Sequence, residues 1–339
     1  MERFFRVGLV LCSLLLSCGC GKQGDGSRFK MGLMPKIKSI AYFQACAKGA
    51  QEAASELGID LVFDGPAKDD VKEQVDMLDQ WMTQGFDCIA VAPNHPGVIA
   101  PALKRARDRG ITVLTFDADA DAESGRQYFV NQASYDDIAQ TLIDTMAEEM
   151  GGPGKVGILT STLQAPNQSQ WARRMKDYRK AKYPGMELLE EIESQENMKL
   201  GVDRARSMIQ ANPDLKGIIC LTSIAFPAAA EAVEQERKTG EGDIDEGKKG
   251  QIHVVGLSLP SQMRKYVKRG TVQTVILWKP IDLGYLTVRV ADLIHQGKMI
   301  GEGKIQAGRL GDIQVRNGYE VLLGPPMKFT AENIDQYGF

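Results

Sequence analysis

Three aspartates, Asp117, Asp119 and Asp121, stand at alternate positions just past the strand-favouring run from Ile111 to Thr115. Carboxylates so placed have three chemical uses: holding a divalent cation, serving as an acid/base group, or accepting hydrogen bonds from a ligand. Their spacing fits the first three positions of a calcium loop. The sixth position is Ala122 where the sharp turn needs glycine, and the twelfth is Tyr128 where a bidentate glutamate belongs. Calcium is therefore set aside. Zinc has no better case, since His95, His253 and His295 lie far apart and lack ligand spacing. Gly256-Leu-Ser-Leu-Pro260 opens like a nucleophile elbow but ends in proline. The glycine-rich segment 151–157 precedes its strand, whereas a dinucleotide fingerprint follows one. No catalytic constellation survives, and neither metal nor cofactor is expected. Binding remains.

The elements that position Asp117 follow from the local pattern. β-Branched residues stiffen the 111–115 run, and an apolar run before a polar break suits a strand buried on both faces. Open α/β sheets bind ligands just past the carboxyl ends of such strands. Helix-like segments end at Gly58, Gly85 and Gly110, and each glycine opens a strand. Intervals of 27 and 25 residues between positions 58, 85 and 110 are those of a β-α unit, which implies parallel sheets flanked by helices. Within 69–84, Val71, Val75, Leu78 and Met82 form a helical core stripe. After Gly151-Gly-Pro-Gly a second set begins, with strands at 155–160, 217–222, 252–257 and 271–278. Helices are expected at 168–181, 200–211, 227–238 and 280–296, and a surface loop at 239–251. The fold class is α/β, with two Rossmann-like lobes in tandem.

A chain of 339 residues, 43% hydrophobic and 25% charged, is long enough for two such lobes. A formal charge of -3 leaves no basic footprint for nucleic acid. The N-terminus is distinct: a short basic segment to Arg6 precedes an apolar run from Val7 to Leu16, the length of a signal-peptide core and too short for a membrane span. Leu15-Leu-Ser-Cys18 resembles the lipobox of bacterial lipoproteins, with Cys18 the lipidated residue. Cys20 would put Ser17 at the aliphatic position, and a plain cleaved signal peptide is the other reading. Residues 1–18 are thus read as a lipoprotein signal peptide and 19–33 as a tether, placing the body in the periplasm or at the cell surface. Cys46, Cys88 and Cys220 remain outside the leader, an odd and widely spaced set without a disulfide framework.

Several motifs have no general structural reason to co-occur: Met34-Pro-Lys-Ile, Gly49-Ala-Gln-Glu-Ala-Ala, Val113-Leu-Thr-Phe-Asp-Ala-Asp, Phe226-Pro-Ala-Ala-Ala-Glu-Ala and the closing Phe329-Thr-Ala-Glu-Asn-Ile-Asp-Gln-Tyr-Gly-Phe. With the leader, they make the chain resemble periplasmic sugar-binding proteins of the ribose-binding type, nearest the autoinducer-2 (AI-2) and rhamnose-binding subgroup. The resemblance implies a periplasmic binding protein type I clamp, a monomer with no enzymatic activity, joined by a three-strand hinge. The chain would cross near Asn131, Trp278 and Gly311. Lobe one would then be 34–131 plus 279–311, and lobe two 132–278 plus 312–339. The implied partners are a monosaccharide or polyol and an ABC import permease, with the membrane touched only through the lipid anchor. A sensory receptor of the same fold and, more remotely, a tethered sugar-modifying enzyme are the alternatives.

By position, the AI-2 receptor's ligand contacts fall on Lys36, Asp117, Asn167, Gln168, Pro227 and Ala229. That receptor has an aspartate where this chain has Asn167, and an acidic residue where it has Lys279. An amide offers one acceptor and two donors where a carboxylate only accepts. The implied ligand is thus a monosaccharide rather than AI-2. In physical terms Asp117 can accept sugar hydroxyls, each worth roughly 1.5–3 kcal/mol, and Lys36 balances the buried charge. Phe43, Phe226 and Trp278 can stack on a pyranose face. Phe226 has a second reading as a staple at its helix start, Trp171 reads as core or as platform, and Asp119 and Asp121 read as turn residues.

Overall fold

The computed structural model describes residues 28–121, 124–239 and 251–339. The signal peptide, Cys18, Cys20 and nearly all of the expected 239–251 loop lie outside the described residues. In chain order the first elements are β1 (Lys30–Met34), α1 (Ala41–Leu57), β2 (Asp60–Phe63), α2 (Val71–Thr83), β3 (Cys88–Val91), α3 (Pro96–Asp108), β4 (Thr112–Phe116), β5 (Tyr128–Asn131) and α4 (Tyr135–Met150). Next come β6 (Gly154–Thr160), α5 (Pro166–Lys182), β7 (Met186–Glu193), α6 (Met198–Ala211), β8 (Leu215–Cys220), α7 (Ala225–Thr239), β9 (His253–Leu257), α8 (Pro260–Lys268), β10 (Val275–Leu277) and α9 (Pro280–His295). The chain closes with β11 (Gly303–Gln306), β12 (Asp312–Arg316), β13 (Glu320–Leu322) and β14 (Met327–Phe329).

These strands form two sheets, one per lobe. The first has eight strands in the order β11-β12-β13-β5-β4-β3-β1-β2, and the second six in the order β14-β10-β9-β8-β6-β7. Parallel pairing runs from β2 to β13 in the first and from β7 to β10 in the second. Strand β3 is apolar and wholly buried, and β4 is buried from Val113 onward, because helices cover both faces. The chain passes between sheets at 132–134, at 278–279 and at 323–326.

Two expected boundaries are corrected. Residues 312–322 do not join the second lobe: β13 pairs in parallel with β5, Val321 opposite Val130. Gly311, with φ +67°, instead reverses the chain between antiparallel β11 and β12. The expected tether also extends too far, because β1 lies between β2 and β3 with Met31 and Leu33 fully buried. Lys30 and Gly32 interrupt the apolar pattern there, so its neighbours rather than its own sequence make it a strand.

Helix α9, returning from the second lobe, packs against α1 through two glycines. A Cβ on Gly284 would sit 1.8 Å from the Cys46 carbonyl oxygen, and one on Gly49 1.7 Å from that of Ile281. The obstruction is backbone on both sides, so repacking side chains cannot relieve it. Gly284→Ala is therefore expected to destabilise by about 3 kcal/mol or more, above ordinary overpacking. Thermal unfolding followed by circular dichroism checks this, with an unchanged melting temperature as the contrary result.

Candidate functional site

The carboxyl ends of both parallel sheets face one cleft. Lys36 follows β1, Asp117 follows β4, Asn167 and Gln168 open α5, and Trp278 lies in the second crossing. With Phe43 of α1, these six residues line one cavity, open to solvent, with an empty volume of about 440 Å³.

The three aspartates have unequal fates. Asp117 is 4% exposed and carries φ +63°, while Ala118 N–H donates to Phe116 C=O at 2.6 Å across it, closing a tight turn. Short polar side chains tolerate this left-handed backbone, and such strain gathers at functional sites. Asp119 anchors the loop, receiving Arg126 Nε and Nη2 at 2.7 Å each and the Thr115 hydroxyl at 2.6 Å. Arg126 in turn stacks over Tyr319 at 3.9 Å. Asp121 is exposed and contributes its backbone, accepting from Ser124 N–H at 2.8 Å.

Polar groups from the two lobes meet across the cleft. Lys36 Nζ donates to Asn167 Oδ1 at 2.8 Å and lies 3.8 Å from Asp117 Oδ2. Asn167 Nδ2 donates to Asp117 Oδ2 at 3.3 Å, so the amide links both charges of lobe one. Gln168 Oε1 accepts from the Thr160 hydroxyl and from Ser161 N–H and Oγ at 2.8 and 2.9 Å. Its amide NH₂ bonds no protein group among the described residues. Burial raises the Asp117 carboxyl, partly offset by the Lys36 amine and the Tyr42 hydroxyl. An aromatic wall adjoins it: Trp278 Nε1 donates to Tyr42 Oη at 2.8 Å, and the Trp171 and Trp278 rings lie 6.1 Å apart. Trp171 lines the cavity while 2% exposed, and its indole N–H has no partner among the described residues. Among the described residues no group of three or more His, Cys, Asp or Glu side chains is placed to hold a metal ion.

A comparison with known families now decides what this clamp is: a model described as the periplasmic binding protein domain matches residues 31–299. The chain belongs to the periplasmic binding protein family. As a binding protein it is not an enzyme. It is 24% identical over 291 residues to the D-allose-binding periplasmic protein of Escherichia coli K12, covering 82% of this chain and 88% of that relative. A solved ABC transporter solute-binding protein from Clostridium phytofermentas with bound L-rhamnose is 27% identical, with a TM-score of 0.84 over 92% of this chain and 98% of that one. LsrB of Clostridium saccharobutylicum in complex with AI-2, 24% identical, shares the fold at a TM-score of 0.83, over 91% of this chain and 100% of that one.

Four residues expected at the site of this binding protein do not line its cavity. Phe226 is fully buried in the core, its ring filling the space that Gly256 leaves, 3.0 Å from where a Cβ would stand. Pro227 and Ala229 are buried on α7, and Lys279 is exposed at the start of α9. Position along the chain points to Pro227, Ala229 and Lys279, and aromatic character points to Phe226, yet none of the four lines the cavity. Conversely, Tyr42, Thr222, Ser223 and Glu196 line it without having been expected. Thr222 and Ser223 lie just past β8, so the rule that singled out Asp117 was available for them. Glu196 had no such signal.

Proposed function

We propose that this binding protein captures a monosaccharide or related polyol between its lobes and hands it to an ABC import permease. The observation that carries this is the buried Asp117 carboxylate, held on a strained turn and faced by Lys36, Asn167 and Gln168 beside two indoles. Charged and amide groups against flat aromatic surface match the alternating hydroxyls and apolar faces of a sugar ring. The ligands carried by the names of its relatives, D-allose and L-rhamnose, are of this class. Ligand closure of the clamp then requires tighter binding to the closed state than to the open one.

A thermal-shift screen of the protein without residues 1–27 against pentoses, hexoses, deoxysugars, polyols and AI-2 tests this. A binder raises the melting temperature through mass action, and silence from every polyol sinks the ligand class. AI-2 is expected to give a smaller shift than the best monosaccharide, because Asn167 stands at the position of the AI-2 receptor's aspartate.

The same reading places the protein on the cell envelope through a lipid on Cys18. Cys18→Ser should abolish palmitate incorporation and release the protein into the soluble fraction, whereas Cys20→Ser should do neither. The opposite pattern would move the anchor to Cys20.

A further inference from the structure

Glu196 lines the same cavity as Asp117, on the side of the second lobe. It follows the edge strand β7 in an uncommon backbone conformation, with φ +53° at Gln195 and +49° at Glu196. Neither is glycine, and left-handed non-glycine residues cost roughly 1–2 kcal/mol each. They persist only where the surroundings fix them. Here Ser194 N–H and Oγ both donate to Thr160 C=O at 2.8 Å, and Gln195 N–H donates to Ser161 C=O at 2.9 Å. The turn is thus fastened to the strand end that also holds Gln168.

The side chain is fixed as firmly. Thr222 Oγ1 accepts from the N–H groups of Ile224 and Ala225 at 3.2 and 3.0 Å, opening α7. Its single proton is left for Glu196 Oε2, 3.0 Å away. That contact needs Glu196 as the acceptor. Oε1 bonds no protein group among the described residues. The charged groups facing this carboxylate all come from the first lobe: Lys36 after β1, Asp69 before α2 and Asp117 after β4.

We propose that Glu196 is a further ligand-contacting residue, accepting a sugar hydroxyl through Oε1 and setting specificity from the lobe opposite Asp117. This rests on the sugar-binding reading of the cleft. Two carboxylates on opposite walls select a ligand with hydroxyls to donate at both edges, and they disfavour one that is deoxygenated or methylated at the Glu196 edge.

A carboxylate accepts on both oxygens only when ionised. Burial pushes the Glu196 carboxyl up to about 7, with Asp69 and Asp117 adding to the rise and Thr222 and Lys36 opposing it. A hydroxyl donated to the ionised form lowers that value in the complex. Affinity therefore rises with pH through the neutral range, and binding releases protons below it.

Calorimetric titration with L-rhamnose and D-allose at pH 6 and pH 8, on the wild type, E196Q and E196D, tests the assignment. Wild-type affinity is expected to be about tenfold lower at pH 6, following the ionised fraction of a group titrating near 7. E196Q should bind several-fold more weakly at pH 8 and lose this pH dependence, while E196D loses affinity but keeps the dependence. Melting temperatures of the unliganded variants report their folding separately. E196Q binding with wild-type affinity and pH profile overturns the role of Glu196 alone. No binding of either sugar to the wild type at either pH, with the wider panel also silent, overturns the sugar reading itself.

Discussion

Asp117→Asn is expected to weaken sugar binding by about 10–100-fold without lowering the melting temperature of the unliganded protein. The first half follows from charge. Hydrogen bonds to a charged acceptor are worth about 1.5–3 kcal/mol each, and about 1.4 kcal/mol is a factor of ten. Asparagine tolerates the left-handed φ of +63° at this position, so the turn survives and only the carboxylate is lost.

The second half follows from the sign of the titration. Burial holds the Asp117 carboxyl above its ordinary value. A carboxyl raised on folding contributes its stability below the unfolded-state value, and that contribution is lost as pH rises through the folded-state value. Ionising this buried carboxyl therefore works against folding, a cost consistent with a role in binding. Titration calorimetry and thermal unfolding at pH 7 read the two halves separately. Unchanged affinity in Asp117→Asn would remove this residue from the ligand.

Arg126→Ala carries the largest expected stability loss. The Arg126 and Asp119 side chains are 4% and 19% exposed, and the substitution leaves the Asp119 carboxylate with the Thr115 hydroxyl as its remaining side-chain partner. Breaking a buried pair by removing one partner costs about 3–5 kcal/mol, a fall in melting temperature on the order of 5–15 °C. The stack on Tyr319 is lost as well, and with it a tie between the Asp117 loop and the β12–β13 turn. Sugar affinity should fall too, because this loop aims Asp117. Asp121→Ala is the control: that side chain is exposed and its contribution comes from the backbone, so a change within about 0.5 kcal/mol is expected. Equal effects of the two substitutions would contradict the division of labour among the three carboxylates.

Sequence patterns revealed what was locally encoded. Strands β3 and β4 show themselves because both faces are buried, and the glycines at 58, 85 and 110 mark where helices stop. Strand β7 does not, since an edge strand carrying Glu187, Glu190, Glu191 and Glu193 has no apolar run. Residues 312–322 were assigned to the wrong lobe because only long-range pairing with β5 tells which sheet they join. At the site, Asp117 was legible as the first polar residue past a buried strand. Lys36, Asn167 and Gln168 came from family resemblance. Phe226, read from its aromatic face as a stacking ring or a helix staple, sits in the core, where its surroundings depend on Gly256 thirty residues later. Glu196 was invisible because its place depends on two residues of positive φ and on a threonine just past another strand.

On binding, a sugar is expected to take over the polar groups that Lys36, Asp117 and Asn167 now offer one another. A crystal structure with the sugar giving the largest thermal shift tests this most directly. The expected result is a ring between the lobes against Trp171 and Trp278, with a hydroxyl donating to Asp117 and the Lys36–Asn167 bond replaced by bonds to the ligand. A sugar bound outside this cleft, or one inside it that leaves Asp117 untouched, would contradict it.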